Sequence, residues 1–213
     1  MNKKILLITR CSRTEFLEKI RENICSVFHD VDYHWHIVFD LNRMKMTPEL
    51  MSWLSETGKK MKMFYSFSGS NDELYGSNLA NQVLFDSQHV DCGWAYLLDD
   101  DNALCTKLIE AMPYLFEEGE GIVYVPQLRR NHETSEIETH YINPNMNADN
   151  CVGWVDSAQF FIPTELLKSI GGYVDGYCID GLTIQKIYQT YPYIKKVYVN
   201  SGCSYYNYWT EII

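Results

Sequence analysis

No stretch of this 213-residue chain approaches the roughly 18 consecutive apolar residues of a membrane-spanning helix. The four apolar residues at 5–8, behind two lysines, are also too few for the core of a secretory signal. A cytoplasmic chain without a transmembrane segment is therefore expected. C-x-x-C pairs are missing, and the seven cysteines are an odd number. A disulfide framework or a structural zinc site is accordingly not expected, and the thiols read as scattered buried residues in a reducing compartment. Basic residues are few: 18 Lys and Arg stand against 28 Asp and Glu, a net charge of -10. That balance excludes a general nucleic-acid binder, whose footprint is a basic face. An anionic small molecule stays compatible, because one divalent cation reverses the sign of a local site. Internal repeats, low-complexity tracts and linker-like segments are absent as well, so a single domain over 1–213 is expected. Its 46% hydrophobic residues are enough to build a sizeable core.

What is present is an alternation of strand-like and helix-like segments. The apolar run at 4–9 reads as a buried strand. Ser12 and Glu15 have the spacing of a capping box for a helix carrying Phe16, Leu17, Ile20, Ile24, Val27 and Phe28. Residues 34–39 and 62–67 read as two more strands. Between them Thr47 and Pro48 open a helix that Gly58 closes. A helix over 78–85, a strand over 94–98 and a helix over 103–116 capped by Asn102 follow. In the second half, strands at 121–125, 155–162 and 195–200 and helices at 164–170 and 182–191 stand out. Residues 129–150 read as a polar, mobile loop with one short strand at 138–142. Such repetition implies a mostly parallel sheet with helices on both faces, with ligands bound beyond the carboxyl ends of its strands. Asp40, Ser66 and Asp99 all fall at such ends.

Asp99, Asp100 and Asp101 follow an apolar strand directly. Adjacent carboxylates repel one another, and a hard cation such as Mg²⁺ or Mn²⁺ removes that cost by binding one or two of them together with substrate phosphates. The alternative is a solvated acidic turn with Asn102 capping the next helix. Arg10 and Arg13 after the first strand can be solvated, and Asp40 can be a turn residue. Gly171 and Gly172 read as a helix stop, and Asp180 as the N-cap of the helix at 182 or as a cleft carboxylate. Trp154, Tyr173 and Tyr177 flank these segments, where they can pack or stack on sugar faces. His34 and His36 alternate on a strand apart from the acidic residues and read as structural. The aromatic tail at 205–209 reads as a packing segment.

The segment at 94–102, WAYLLDDDN, resembles the metal-binding D-x-D segment of GT-A-fold glycosyltransferases. It is similar both to the family 2 enzymes and to the β-1,3-glucuronyltransferases, whose segment reads D-D-D-N. Other stretches resemble the family in order. They are Thr9 to Arg13 near base and ribose, the segment ending at Asp40, the small-residue helix start from Gly76 to Asn81, and Gly171 and Gly172 through Asp180. The resemblance implies that Asp99 and Asp100 face the nucleoside, Asp101 binds the metal, and Asp180 is the base. Ile179 stands where the family usually has Glu, and no late His metal ligand is present, since His140 is the last His. Water, a phosphate oxygen or a late polar group such as Asn200 or Ser201 is a candidate in its place.

The expected fold is α/β, a GT-A (Rossmann-like), mostly parallel sheet flanked by helices. Residues 1–102 form the nucleotide-binding half and 103–213 a smaller acceptor-binding half. The expected reaction moves a sugar from a nucleoside-diphosphate donor to a saccharide or other hydroxyl acceptor, dependent on Mn²⁺ or Mg²⁺, with inversion. Asp180 is the expected catalytic base, with Asp156 and Asp175 as competitors. Thr9, Arg10, Arg13, Asp40, Ser66, Asn81, Asp99 and Asp100 are the expected donor-binding residues and Asp101 the metal ligand. Trp154, Asp156 and Tyr173 are assigned to the acceptor. The alternatives are a non-catalytic nucleotide-sugar-binding protein and a sugar-phosphate nucleotidylyltransferase, against which the lack of a G-x-G-T-R-type loop counts.

Overall fold

The structure is a computed structural model that describes residues 3–69, 76–118, 121–131, 133–200 and 204–211. In chain order its elements are β1 (Ile5–Cys11), α1 (Leu17–Val27), β2 (Tyr33–Asp40), α2 (Pro48–Gly58), β3 (Met63–Ser68), α3 (Ser77–Leu84), β4 (Trp94–Leu97), β5 (Ala103–Leu104), β6 (Ile122–Tyr124), β7 (Gln127–Arg130), β8 (Ile137–His140), β9 (Phe160–Pro163), α4 (Thr164–Ser169), α5 (Ile179–Thr190), β10 (Lys196–Tyr198), β11 (Ser204–Tyr205) and α6 (Tyr208–Glu211). Seven strands form one sheet in the order β10-β6-β9-β4-β1-β2-β3. It is parallel except for β9, which runs against both β4 and β6. The sheet crosses the boundary between the two halves of the chain without a break. A second sheet, β5-β11-β7-β8, stands beside it. No helix among the described residues is long and apolar enough to cross a membrane.

The centre of the main sheet is buried on both faces, which is why β1 and β2 read as near-continuous apolar runs. Ile5, Leu7, Trp35, Ile37 and Phe39 pack into one core with α1 and α2. Leu6, Ile8 and Val38 pack into the other with α3, α4 and α5. Thr47 caps α2 by accepting the Leu50 amide, with Pro48 in the first position.

Four expectations are corrected. Ser12 does not cap α1: a 3-10 turn at Thr14–Phe16 precedes that helix, and Ser12 donates to Asp100 instead. The helix at 103–116 does not form as one piece. Asn23 Oδ1 accepts the Leu104 amide at 2.7 Å, and Ala103 and Leu104 join β11, leaving a 3-10 helix at Thr106–Ala111 and a π-turn at Tyr114–Glu118. Asn102 caps nothing there, because its Oδ1 accepts the Asn207 amide at 2.9 Å. The polar segment at 129–150 contains a β-hairpin, with Gln127 opposite His140 and Arg130 opposite Ile137. The strand expected over 155–162 begins only at Phe160, since a capping box from Asp156 to Gln159 bends residues 157–159 into a 3-10 turn.

His34 and His36 lie on the same face of β2 and meet His89, the last residue of a 3-10 turn. The three rings are buried. Burial holds both His36 and His89 down to about 4, and it lowers His34 too, against a background of Lys4, Lys62 and Lys168 opposed by Asp32, Asp86 and Asp91. A ring whose folded pKa is depressed stabilises the fold fully above its unfolded pKa. That stability is lost as pH falls through the window between about 6.5 and 4. Urea unfolding in EDTA should therefore show a loss on the order of 3 kcal/mol per ring at most across that window. A His89→Gln variant with the same pH slope as the parent would assign the loss to other groups.

Candidate active site

The carboxyl ends of β1, β2 and β4 open into a cleft of about 320 Å³. Arg10, Ser12 and Arg13 come to it from β1 and its loop, Asp40 and Arg43 from the end of β2, and Asp99, Asp100, Asp101 and Asn102 from the turn after β4. Asp156, Ile179 and Asp180 enter from the second half, as do Tyr177, Tyr206 and Asn207. The sheet order places β4 beside β1 and β1 beside β2, so three loops distant in sequence share one edge.

The three adjacent aspartates have different work. A carboxylate offers about four lone-pair positions. Asp100 accepts from Ser12 N at 2.6 Å, Ser12 Oγ at 3.1 Å, Arg13 N at 2.8 Å and Arg13 Nε at 2.9 Å, and from Arg13 Nη2 as well. It is 2% exposed and saturated, which makes it the brace of the β1 loop. Asp99 accepts from Arg10 Nε at 2.8 Å, Arg10 Nη2 at 2.5 Å and Ser157 Oγ at 3.0 Å, which leaves about one position for a ligand. Asp101 pairs with Arg13 Nη2 at 2.9 Å, and burial pushes its carboxyl up despite that arginine. Asp40 accepts the Asn42 amide at 3.0 Å and faces Arg43 Nε at 3.4 Å.

Asp180 lies in the first turn of α5, whose N-cap is Cys178, so it is not the cap. Its Oδ1 is buried and has no hydrogen-bond partner among the described residues. Burial holds its carboxyl well above the usual carboxylate range. Asp156 and Asp99 add to that, while Arg10 and the Ser157 amide oppose it. A helix N-terminus favours an ionised carboxylate, but here desolvation outweighs it. Asp156 is raised in the same way, by burial and then by Asp99, although Gln127 Nε2 donates to it at 2.9 Å. Asp175 accepts from Ser77 Oγ at 2.8 Å and does not line the cleft.

Several candidates lie elsewhere. Thr9 is fully buried and accepts from Trp35 Nε1 at 3.0 Å. Ser66 Oγ meets His36 Nε2 at 3.1 Å, inside the histidine cluster. Asn81 holds the Tyr173 backbone at both ends, its Nδ2 donating to Tyr173 O at 2.9 Å and its Oδ1 accepting the Tyr173 amide at 2.7 Å. Tyr173 is buried and does not line the cleft, although its phenol lies near enough to Asp180, Arg10 and Asp99 to feel their charges. Trp154 is 77% exposed and outside the cleft lining. Asn200 lines a separate cavity, and Ser201 lies outside the described residues. Sequence reasoning missed Ser157, Tyr206 and Asn207. The tail at 205–209 carries no motif, and it reaches the acidic turn through the Trp209 amide donating to Asp101 O at 3.1 Å and the Asn207 amide donating to Asn102 Oδ1 at 2.9 Å.

Gly172 at φ 93° turns the chain into the Asn81 clamp, and a Cβ there collides with Asn81 Oδ1. Gly172→Ala should cost on the order of 1–3 kcal/mol from backbone strain alone. Equal denaturant midpoints for variant and parent would show that the clamp yields freely.

No protein-family model and no curated protein matches the sequence. Solved structures do match the fold. TarS from S. aureus superposes with a TM-score of 0.68 at 14% identity, over 96% of this chain and 36% of that one. The mannosyltransferase PcManGT from Pyrobaculum calidifontis, solved with GDP-Man and Mn²⁺, gives 0.68 at 14% identity over 97% of this chain and 57% of that one. The 4-diphosphocytidyl-2C-methyl-D-erythritol synthase from Anaerococcus prevotii gives 0.56 at 10% identity over 99% and 92%. The chain thus spans between about a third and three-fifths of the first two proteins. The fold is the GT-A type that the DDDN segment implied.

Proposed function

We propose that the chain is a glycosyltransferase domain that binds a nucleoside-diphosphate sugar in this cleft and transfers the sugar to a hydroxyl acceptor. One observation carries the proposal: the acidic turn after β4 keeps Asp99 and Asp101 only partly satisfied, opposite a buried Asp180 whose Oδ1 has no partner among the described residues. Asp99 and Asp40 contact the nucleoside. Arg10 holds Asp99 in place and moderates the charge on Asp180. Asp180 takes the proton from the attacking hydroxyl. An inverted product follows if that attack is direct.

The residues fit a divalent cation. Asp101 is burdened by burial and balanced by one arginine, and the cleft carries more carboxylates than guanidinium groups. Mn²⁺ or Mg²⁺ would neutralise charge on the leaving diphosphate. Asp101 is the residue to hold it, with phosphate oxygens and water as the remaining ligands.

Nucleotidylyl transfer is the competing reading, supported by the Anaerococcus structure. The β1 loop disfavours it. The Ser12 and Arg13 amides, which sit where a phosphate-cradling loop would begin, both donate to Asp100. A thermal-shift panel tests the choice. The cognate nucleoside diphosphate with Mn²⁺, at 100-fold excess over its Kd, should stabilise by about 2.7 kcal/mol, roughly 5–10 °C for a chain of this size. Pyrophosphate release from a nucleoside triphosphate and a sugar 1-phosphate, with no response to any diphosphate, would reverse the assignment.

A further inference from the structure

We propose that His34, His89 and Cys92 form a binding site for one transition-metal ion of the zinc class, at the end of the sheet away from the cleft. The cleft collects the carboxyl ends of β1, β2 and β4. His34 is the second residue of β2, and Cys92 lies two residues before β4, so they belong to the opposite edge. Each of the three residues offers a ligand atom within 4.8 Å of the other two, and all three are buried. His34 Nδ1 and His89 Nδ1 are 3.1 Å apart. Nitrogens bound to one tetrahedral zinc at 2.0–2.1 Å sit about 3.3 Å apart, so ligation asks for a shift of only a few tenths of an ångström at that pair. Two imidazoles and a thiol are the donors that suit zinc. Cys92 makes no disulfide.

The surroundings orient the ligands as a metal site requires. A metal-bound His donates its other ring N–H to a fixed acceptor, which sets the tautomer. With Nδ1 of His89 on the metal, its Nε2–H donates to His36 Nδ1 at 2.7 Å. His36 is then free to donate its own Nε2–H to Ser66 Oγ at 3.1 Å. A metal on His89 Nδ1 would thus set one direction for the whole chain from His89 through His36 to Ser66. A second trio, His36, Asp86 and His89, also converges, but Asp86 already accepts the Gln88 amide at 2.9 Å and Gln88 Nε2 at 3.2 Å. The ion would tie the turn at 86–92 to β2, a structural role independent of the chemistry proposed for the cleft. The cysteines lack C-x-x-C spacing, and the ligands come from positions 34, 89 and 92. Only folding brings them together.

The test uses Co²⁺ as a spectroscopic probe on EDTA-stripped protein, with Zn²⁺ competition and elemental analysis of the untreated protein. One equivalent of Co²⁺ should give a thiolate-to-cobalt charge-transfer band that Zn²⁺ abolishes, and Zn²⁺ should raise the melting temperature. Cys92→Ser should lose the band while keeping its far-ultraviolet circular dichroism, and Asp101→Ala should keep it. His36→Gln should weaken Co²⁺ binding about 10–100-fold through lost orientation. A parent protein without the band overturns the site. So does a band that survives in Cys92→Ser, or one lost in Asp86→Asn but not in Cys92→Ser.

Discussion

Asp180→Asn should lower sugar transfer about 10²–10⁴-fold while leaving donor binding intact, the usual cost of losing a positioned base. The residue is a base only when ionised, and burial holds its carboxyl well above the usual carboxylate range. The acid limb of kcat/KM should therefore lie above ordinary carboxylate values, and the rate should fall as pH drops through it. The variant should lose that limb. Stability runs the other way. A carboxyl raised in the fold stabilises below its unfolded pKa, and that contribution is lost as pH rises. The ionised form, desolvated and with no partner for Oδ1 among the described residues, is a cost to the fold, so Asp180→Asn should melt no lower than the parent. Asp156 is the control, because it lines the same cleft and is raised for the same reason. Near-full turnover in Asp180→Asn with loss in Asp156→Asn would move the base to Asp156.

Asp101→Ala should abolish the Mn²⁺ dependence of nucleoside-diphosphate binding. The loss should exceed the about 10–100-fold that outer-shell changes cost a metal site. The fold should survive, since Asp100 keeps Arg13 through both its backbone amide and its guanidinium. Titration calorimetry in Mn²⁺ and in EDTA measures the effect. Equal affinities for the parent under both conditions would remove the metal from the site. A persisting Mn²⁺ effect in Asp101→Ala would hand the metal to another carboxylate.

The central strands β1, β2 and β4 were legible in the chain because each is an apolar run buried on both faces. β1, β2, β3 and β4 fall where periodicity puts them. The acidic turn was legible for a similar reason: three carboxylates at a strand end are costly without a partner. Local sequence could not show which partner each one has. Ser12 and Glu15 have the spacing of a helix cap, yet the Ser12 hydroxyl is 3.1 Å from Asp100, 88 residues away. Asn102 likewise serves Asn207 rather than a helix. Hydrogen bonds that long in sequence outcompete local capping because they satisfy groups the fold buries, and burial is decided by the whole sheet. The same holds for the two charges that matter most. Asp180 at a helix start reads as acidic from its neighbours alone, and only the walls of the cleft make it basic. His34 and His36 read as ordinary strand residues until the turn at 87–89 sets His89 against them. The sequence by itself determined the sheet, the place of the cleft and the presence of excess negative charge. The tertiary structure decided which carboxylates are braced and which are open to a ligand, because desolvation and partner count exist only once distant segments are packed together.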